Sequence, residues 1–385
     1  MRNSRLATIK LFLAGDVMTG RGIDQIMASP CTATLHEAYA QDALDYVRFA
    51  ERRNGPVPRP VDARYIWGDT LAELEHFGPD ARIVNLETAV TCSGDWLPKG
   101  INYRMNPANS GCLCAAAIDC CVLSNNHVLD WGSAGLTETL ATLAGIGVRT
   151  AGAGSNRNAA EAPAVLPLPG KGRILVYSVG TGSSGIPPDW AAGDNRPGVD
   201  FLPDLSSGSV TRLAQRMLAF RRQGDLVVLS MHWGANWGYQ ITADETRFAH
   251  ALIDLAAIDI FHGHSSHHPK AIEVYRNKLI LYGCGDFIND YEGIRGHEEF
   301  RSELGLMYLP ILEVGTGRLL RLELVAMQRH RLQARRAAAA DAEWLCAMLD
   351  REGRRFGTRA HLSPDGRIGI EWQRDGAQPM RPTPS

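Results

Sequence analysis

The sequence predicts an α/β protein with a largely parallel core. Three observations predict it. Short apolar runs alternate with amphipathic stretches along most of the chain, the runs have the length of buried strands, and polar residues fit for chemistry stand just past their C-terminal ends. In open α/β sheets, loops leaving that end of the strands converge on one crevice, which is where ligands bind.

The elements follow in order. Strand-like runs lie at Ile9–Ala14, Arg82–Leu86, Cys120–Ser124, Val148–Ala151, Ile174–Val179, Leu226–Met231, Ile258–His262 and Leu279–Tyr282. Helical patterns fill the gaps at Leu136–Gly145, Val210–Arg222 and Asp244–Ala256. One insertion, near residues 27–66, carries a helical stretch over His36–Arg53 that is stopped by Gly55-Pro-Val-Pro-Arg-Pro60. A second, over residues 182–204, is rich in Gly, Ser and Pro and holds Trp190, a length and composition suited to a lid or binding loop. After Met307 the alternation stops. Met307–Val314 and Leu319–Ala326 are separated only by Gly315-Thr-Gly317, a hairpin signal. Residues 1–328 thus read as the catalytic domain. Residues 329–385 read as a tail: a helix over Ala337–Arg351, a hairpin at Pro364-Asp-Gly366, and a polar, Pro-rich last dozen residues expected to fray.

Composition excludes some functions. With 40 Lys and Arg against 42 Asp and Glu, the net charge of −2 leaves no basic footprint for nucleic acid. The apolar run Leu11–Ala14 ends at Gly15 and Asp16, far short of the roughly 20 residues of a membrane span, and Cys112–Leu123 carries Asp119. No membrane partner and a cytoplasmic location are expected. Eight cysteines without a CxxC spacing read as free thiols, those at 112, 114, 120 and 121 as buried ones and Cys284 as a packing residue.

The chemistry concentrates at six strand tips. Asp16 ends the first run, a hard-ion ligand or a helix cap. Asn85 and Glu87 share one strand face two residues apart. Asn125-Asn126-His127 follows the third run, and Asp130 stands three residues beyond His127, where a carboxylate can orient the ring and raise its proton affinity. His232 precedes Trp233 and Gly234. His262, His264, His267 and His268 fall within seven residues, a density suited to metal binding or proton transfer. Asp286 sits between Gly285 and Phe287 at the last tip.

In this order, Gly15-Asp16-Val-Met with Gly20-Arg21, Asn85-Leu-Glu87, Asn125-Asn126-His127 with Asp130 and Gly132, Gly152-Ala-Gly154, His232-Trp-Gly234 and Gly263-His264 with His268-Pro269 resemble the CapA family. Its members are linked to poly-γ-glutamate capsule synthesis and are built on the calcineurin-like metallophosphatase fold. The resemblance spans residues 9 to 290. It implies a two-sheet β-sandwich flanked by helices, a four-layer αββα arrangement. It also implies that Asp16, Glu87, Asn126, His232 and His264 surround a divalent metal ion, with His127 beside it as acid and Asp130 behind.

The sequence departs from the phosphatase pattern. Met18 stands where a two-metal centre has an imidazole, and Ala235 and Asn236 follow His232-Trp-Gly where CapA proteins usually have a Glu. Both changes weaken the case for bridged ions about 3.5–4 Å apart. One hard ion among His/Asp pairs suits proton transfer better. The preferred expectation is therefore a metal-dependent isomerase that epimerises the C-terminal residue of a ribosomal lasso-peptide precursor, as one soluble branch with this fold does. The catalytic set is His127–Asp130 opposed to His264 with Asp16 or Asp286. Arg21, Asn85, Trp233, His267, His268 and Asp286 are expected to bind substrate. The alternatives are an enzyme or assembly factor of γ-glutamyl polymer synthesis, a metallophosphoesterase, or a binding module that keeps only the fold. Oxygen ligands favour Ca²⁺, Mg²⁺ or Mn²⁺, whereas several imidazoles favour Mn²⁺, Fe or Zn²⁺.

Overall fold

The computed structural model describes residues 7–373. The expectation of a frayed last dozen lies outside the described residues. Seventeen of the strands form two large sheets. In the first, β1 (Thr8–Val17), β2 (Ala81–Leu86), β3 (Cys120–Val122) and β4 (Arg149–Ala151) pair in parallel and in sequence order. The second holds β5 (Ala164–Leu168), β6 (Gly172–Thr181), β7 (Phe201–Leu202), β8 (Leu226–His232), β9 (Ile260–His264), β10 (Ile272–Tyr275) and β11 (Lys278–Leu281). Its centre, β6-β8-β9-β11, is again parallel.

The chain then returns to the first sheet. There β12 (Asp286–Ile288) lies parallel to β1, and β13 (Leu304–Glu313) lies antiparallel to it. β14 (Leu319–Arg329) pairs with β13 across the expected hairpin, and β15 (Ala334–Arg336) pairs with β14. β16 (Thr358–Leu362) and β17 (Arg367–Trp372) form a second hairpin, and β17 extends the first sheet beside β14. The tail is therefore continuous with the main sheet through hydrogen bonds, not an appended unit.

Alternation along the strands builds the layers. In β1, Ile9, Leu11 and Leu13 face Ile174, Val176, Val228 and Ile260 between the sheets. Phe12 and Ala14, one residue out of phase, face outward against Ile23, Val47 and Trp67. On the far side of the second sheet, Leu175, Val227, Leu229 and Phe261 pack under α3 (Ser207–Phe220) and α4 (Ala243–Asp254). Before them in the chain come α1 (Leu44–Asn54) and α2 (Gly132–Gly145), which cover the outer face of the first sheet together with shorter helices. This is the expected αββα sandwich.

Some expectations are corrected. The helix expected from His36 begins only at Leu44, because Glu37, 3% exposed, is turned inward to pair with Arg21. β5 was not expected at all. Cys114 is exposed, although Cys112, Cys120, Cys121 and Cys284 are buried free thiols.

Candidate metal centre and acid–base site

The two sheets meet at their strand tips. Within the first sheet Gly15 allows a close approach: a Cβ there would sit 1.9 Å from the Gly285 carbonyl. β1 and β12 therefore run side by side with Asp16 opposite Asp286. β8 and β9 in the other sheet bring His232 opposite His264. Asp16, His232 and His264, all buried, present ligand atoms within 4.8 Å of one another.

Hydrogen-bond logic says what this cluster lacks. His262 Nε2 donates to the Ala14 carbonyl (2.9 Å), which can only accept. The chain of contacts continues from His262 Nδ1 to Ser230 Oγ (3.0 Å), from Ser230 Oγ to His264 Nε2 (2.8 Å), and from His264 Nδ1 to His232 Nδ1 (2.8 Å). It ends at Asn126 Oδ1, 3.1 Å from His232 Nε2 and again an acceptor. Five contacts need five protons, but three neutral imidazoles and one hydroxyl supply four. An imidazolium would provide the fifth, yet burial pushes His232 and His264 well below the ordinary histidine range and His262 to about 4. Either the Asn126 amide turns over and donates to His232 Nε2, which closes the relay with neutral rings, or a cation takes the facing Nδ1 lone pairs of His232 and His264; with the Asp16 carboxylate in reach, the donor set fits a metal ion.

The carboxylates point the same way. Burial, then repulsion from Asp286, raises Asp16 to about 7. Burial, then Asp16 and Asp286, drives Glu87 well above the usual carboxylate range. Asp16 Oδ1 lies 3.7 Å from His264 Nδ1 and accepts from Asn85 Nδ2 at 2.7 Å. Glu87 Oε1 lies 3.9 Å from His232 Nε2 and 3.8 Å from His127 Nε2. A divalent cation relieves this crowding of buried negative charge.

His127 stands beside the cluster. Its Nδ1 meets Asp130 Oδ2 at 2.7 Å, and Asp130 also accepts from the Tyr103 N–H (2.6 Å) and from Lys99 Nζ (2.7 Å). Asp130 thus fixes the tautomer with Nδ1 protonated and Nε2 open toward Glu87. Burial, opposed by Asp130, holds the ring at about 4, so it is neutral, with the Nε2 lone pair free and Asp130 in place to support the imidazolium. Asn125 Oδ1 accepts the N–H groups of His127 and Val128 and sets the turn.

Other expected residues take different places. Asp286 pairs with His267 Nδ1 (3.1 Å) rather than with His264. His267, with Arg329, overcomes burial and holds Asp286 below the usual range. Asn85 orients Asp16 and receives Asn125, so it positions a ligand. Three substrate-binding expectations are corrected. Arg21 is buried, saturated by Glu37, Asp290 and Tyr46. Trp233 is 3% exposed and packs on Phe248, Phe261 and Tyr282, because it points to the opposite strand face from His232. His268 is buried, bonded to the Pro269 carbonyl and the Gly238 N–H. Met18 is no ligand either, its sulfur accepting the Gly20 N–H. The sequence reading missed Lys99, Tyr103, whose ring stacks 3.8 Å from that of His127, and Tyr291, whose hydroxyl contacts that of Tyr103.

Comparison with known proteins places the chain in a family. Residues 10–291 match the family described as bacterial capsule synthesis protein PGA_cap. The chain is 46% identical over 364 residues to a Mycobacterium tuberculosis (strain H37Rv) protein named probable polyglutamine synthesis accessory protein, covering 94% of this chain and 96% of that one. It is 28% identical over 202 residues to the PGA biosynthesis protein CapA of Bacillus subtilis, 51% of this chain and 47% of that one. It is 24% identical over 168 residues to the capsule biosynthesis protein CapA of Bacillus anthracis, 44% of this chain and 39% of that one. No helix among the described residues is long and apolar enough to cross a membrane. By the extent of these matches, and with the strand-tip motifs gathered in one place, the chain belongs to the bacterial capsule synthesis protein (CapA) family.

Proposed function

We propose that this protein is a metal-dependent accessory enzyme of γ-glutamyl polymer synthesis, with a γ-linked glutamate chain as substrate. The relatives carry names from polymer and capsule synthesis, and the one aligned over nearly its whole length is 46% identical. The preferred expectation of peptide epimerisation finds no support in them and yields to its alternative. The observation that carries the enzymatic part is the buried cluster of Asp16, His232 and His264 lying beside a His–Asp pair.

Asp16, His232 and His264 would hold the ion, with Glu87 and Asn126 in reach. Two imidazoles with one carboxylate suit Mn²⁺, Fe²⁺ or Zn²⁺. Such an ion supplies Lewis-acid polarisation of a carbonyl. The chain's own residues do the rest. His127 Nε2 takes a proton from the nucleophile, water for trimming or an amine for transfer, as the new bond to carbon forms. It then returns that proton to the amine released when the γ-amide C–N bond breaks. Asp130, held by Lys99 and the Tyr103 N–H, stabilises the imidazolium between the two steps.

The test follows the length of γ-linked polyglutamate incubated with the purified protein and Mn²⁺ or Zn²⁺. The expected result is metal-stimulated shortening or transfer that His127→Ala lowers about 10²–10⁴-fold. Unchanged length with either metal, together with α-deuterium entering a peptide in deuterated water, would overturn the proposal in favour of epimerisation.

A further inference from the structure

A cavity of about 720 Å³ is connected to the candidate centre through two residues of its wall. Asn289, on that wall, donates to the Asp286 carboxylate that holds His267. Tyr291, also on it, touches the hydroxyl of Tyr103, whose ring lies on His127.

Four arginines line this cavity: Arg52, Arg53, Arg295 and Arg329. Arg329 is 4% exposed, and its terminal nitrogens donate only to the backbone carbonyls of Asp286 (2.7 Å) and Leu304 (3.3 Å). Among the described residues no carboxylate is in ion-pair contact with it. Asp286, Glu303 and Glu292 offset its charge only through space, none of them in contact, and a bound anion would add the direct pairing that a buried guanidinium favours. Arg52, Arg53 and Arg295 are exposed and likewise make no ion pair among the described residues. The wall's glutamates are already engaged. Glu292 accepts from Asn54 and from the N–H groups of Arg331 and Leu332, Glu303 pairs with Arg301, and Glu298 accepts the Gly296 N–H. Four arginines against three glutamates, one of which is paired with Arg301, leave the wall net positive.

We infer that this cavity is a carboxylate-binding subsite, which holds the free α-carboxylate of a γ-linked glutamate residue neighbouring the one at the centre. The assignment rests on the γ-glutamyl reading above. A γ-linked chain leaves one α-carboxylate free on every residue, so a linkage at the centre brings further carboxylates with it. Guanidinium groups match that planar anion two hydrogen bonds at a time.

Titration calorimetry on the full chain tests this with a γ-linked glutamate pentamer and the same pentamer with its α-carboxylates amidated. The variants are the exposed Arg295→Ala and the double Arg52→Ala, Arg53→Ala, with melting temperature followed alongside to show that each stays folded. The acid pentamer is expected to bind both variants about tenfold more weakly than wild type at unchanged melting temperature, and the amidated pentamer to bind all of them equally weakly. Equal affinity for the two pentamers, or unchanged affinity in the variants, overturns the subsite whatever the chain-length assay gives. Inorganic phosphate displacing the pentamer at a lower concentration than the pentamer itself needs would assign the site to phosphate and also overturn it. Carboxylate-dependent binding lost in the variants, with no change of polymer length, upholds the subsite and removes only the proposed reaction.

Discussion

Ser230 has one hydrogen to give and two buried imidazoles in contact with it. It therefore couples a backbone carbonyl on β1 to the protonation of His264, and Ser230→Ala should uncouple them. The expected outcome is a roughly 10–100-fold loss of metal affinity, read by competition with a chelator, while far-UV circular dichroism stays unchanged. At this scale the sequence was legible wherever a strand tip names its residue. Asp16, His232 and His264 each end an apolar run, and the structure brings them together. It was illegible where only direction matters. Trp233 and His268 sit within two positions of useful histidines but point elsewhere, and nothing in their spacing distinguishes them. Lys99 and Tyr103 reach His127 and Asp130 from an irregular loop, which has no periodicity to read.

At the scale of elements, the C-terminal helix α5 (Ala339–Gly353) shows how the tail is bound. Leu345 and Leu349 enter the same apolar cluster as Leu322 and Ile368, between elements far apart in sequence. Leu345→Ala should therefore cost about 2–5 kcal/mol, measured by urea unfolding of the whole chain, and a loss below about 0.5 kcal/mol would show the helix to be peripheral. The central strands were legible to within a few residues, because aliphatic runs buried on both faces leave a continuous signal. β5 was not, since Pro167 interrupts its pattern. Among the described residues it pairs only with β6, and an edge strand tolerates a residue without an N–H. The false start at His36 has a tertiary cause, the ion pair of Glu37 with Arg21, which local pattern cannot carry.

For the whole molecule, the buried histidines set the response to pH. His127 and His262 both stand at about 4 in the fold, against about 6.5 unfolded. Between those values the unfolded chain binds protons that the fold refuses, so their contribution is complete above pH 6.5 and lost as pH falls toward 4. Asp16, raised to about 7, works in the opposite sense. Its contribution is present below its unfolded value near 3.8 and lost as pH rises through 7. The metal-free protein should show a melting temperature that drops between pH 6.5 and 4. Above pH 7, where Asp16 is ionised and uncompensated, added Mn²⁺ or Zn²⁺ should raise it in a concentration-dependent way. Melts with a chelator and with each metal check both, and a midpoint indifferent to metal would remove the ion from the account.

The bond from His262 to the Ala14 carbonyl joins one sheet to the other, and the groups around the cluster are divided in the same manner: Asp16, Glu87 and Asn126 on one side, His232 and His264 on the other. An ion seated there would rivet two slabs that are otherwise held by grease and a few hydrogen bonds. Its occupancy is consequently a gauge of their alignment. A mutation deep in the sandwich that lets the slabs slip by a fraction of an ångström would leave the fold standing and empty the seat.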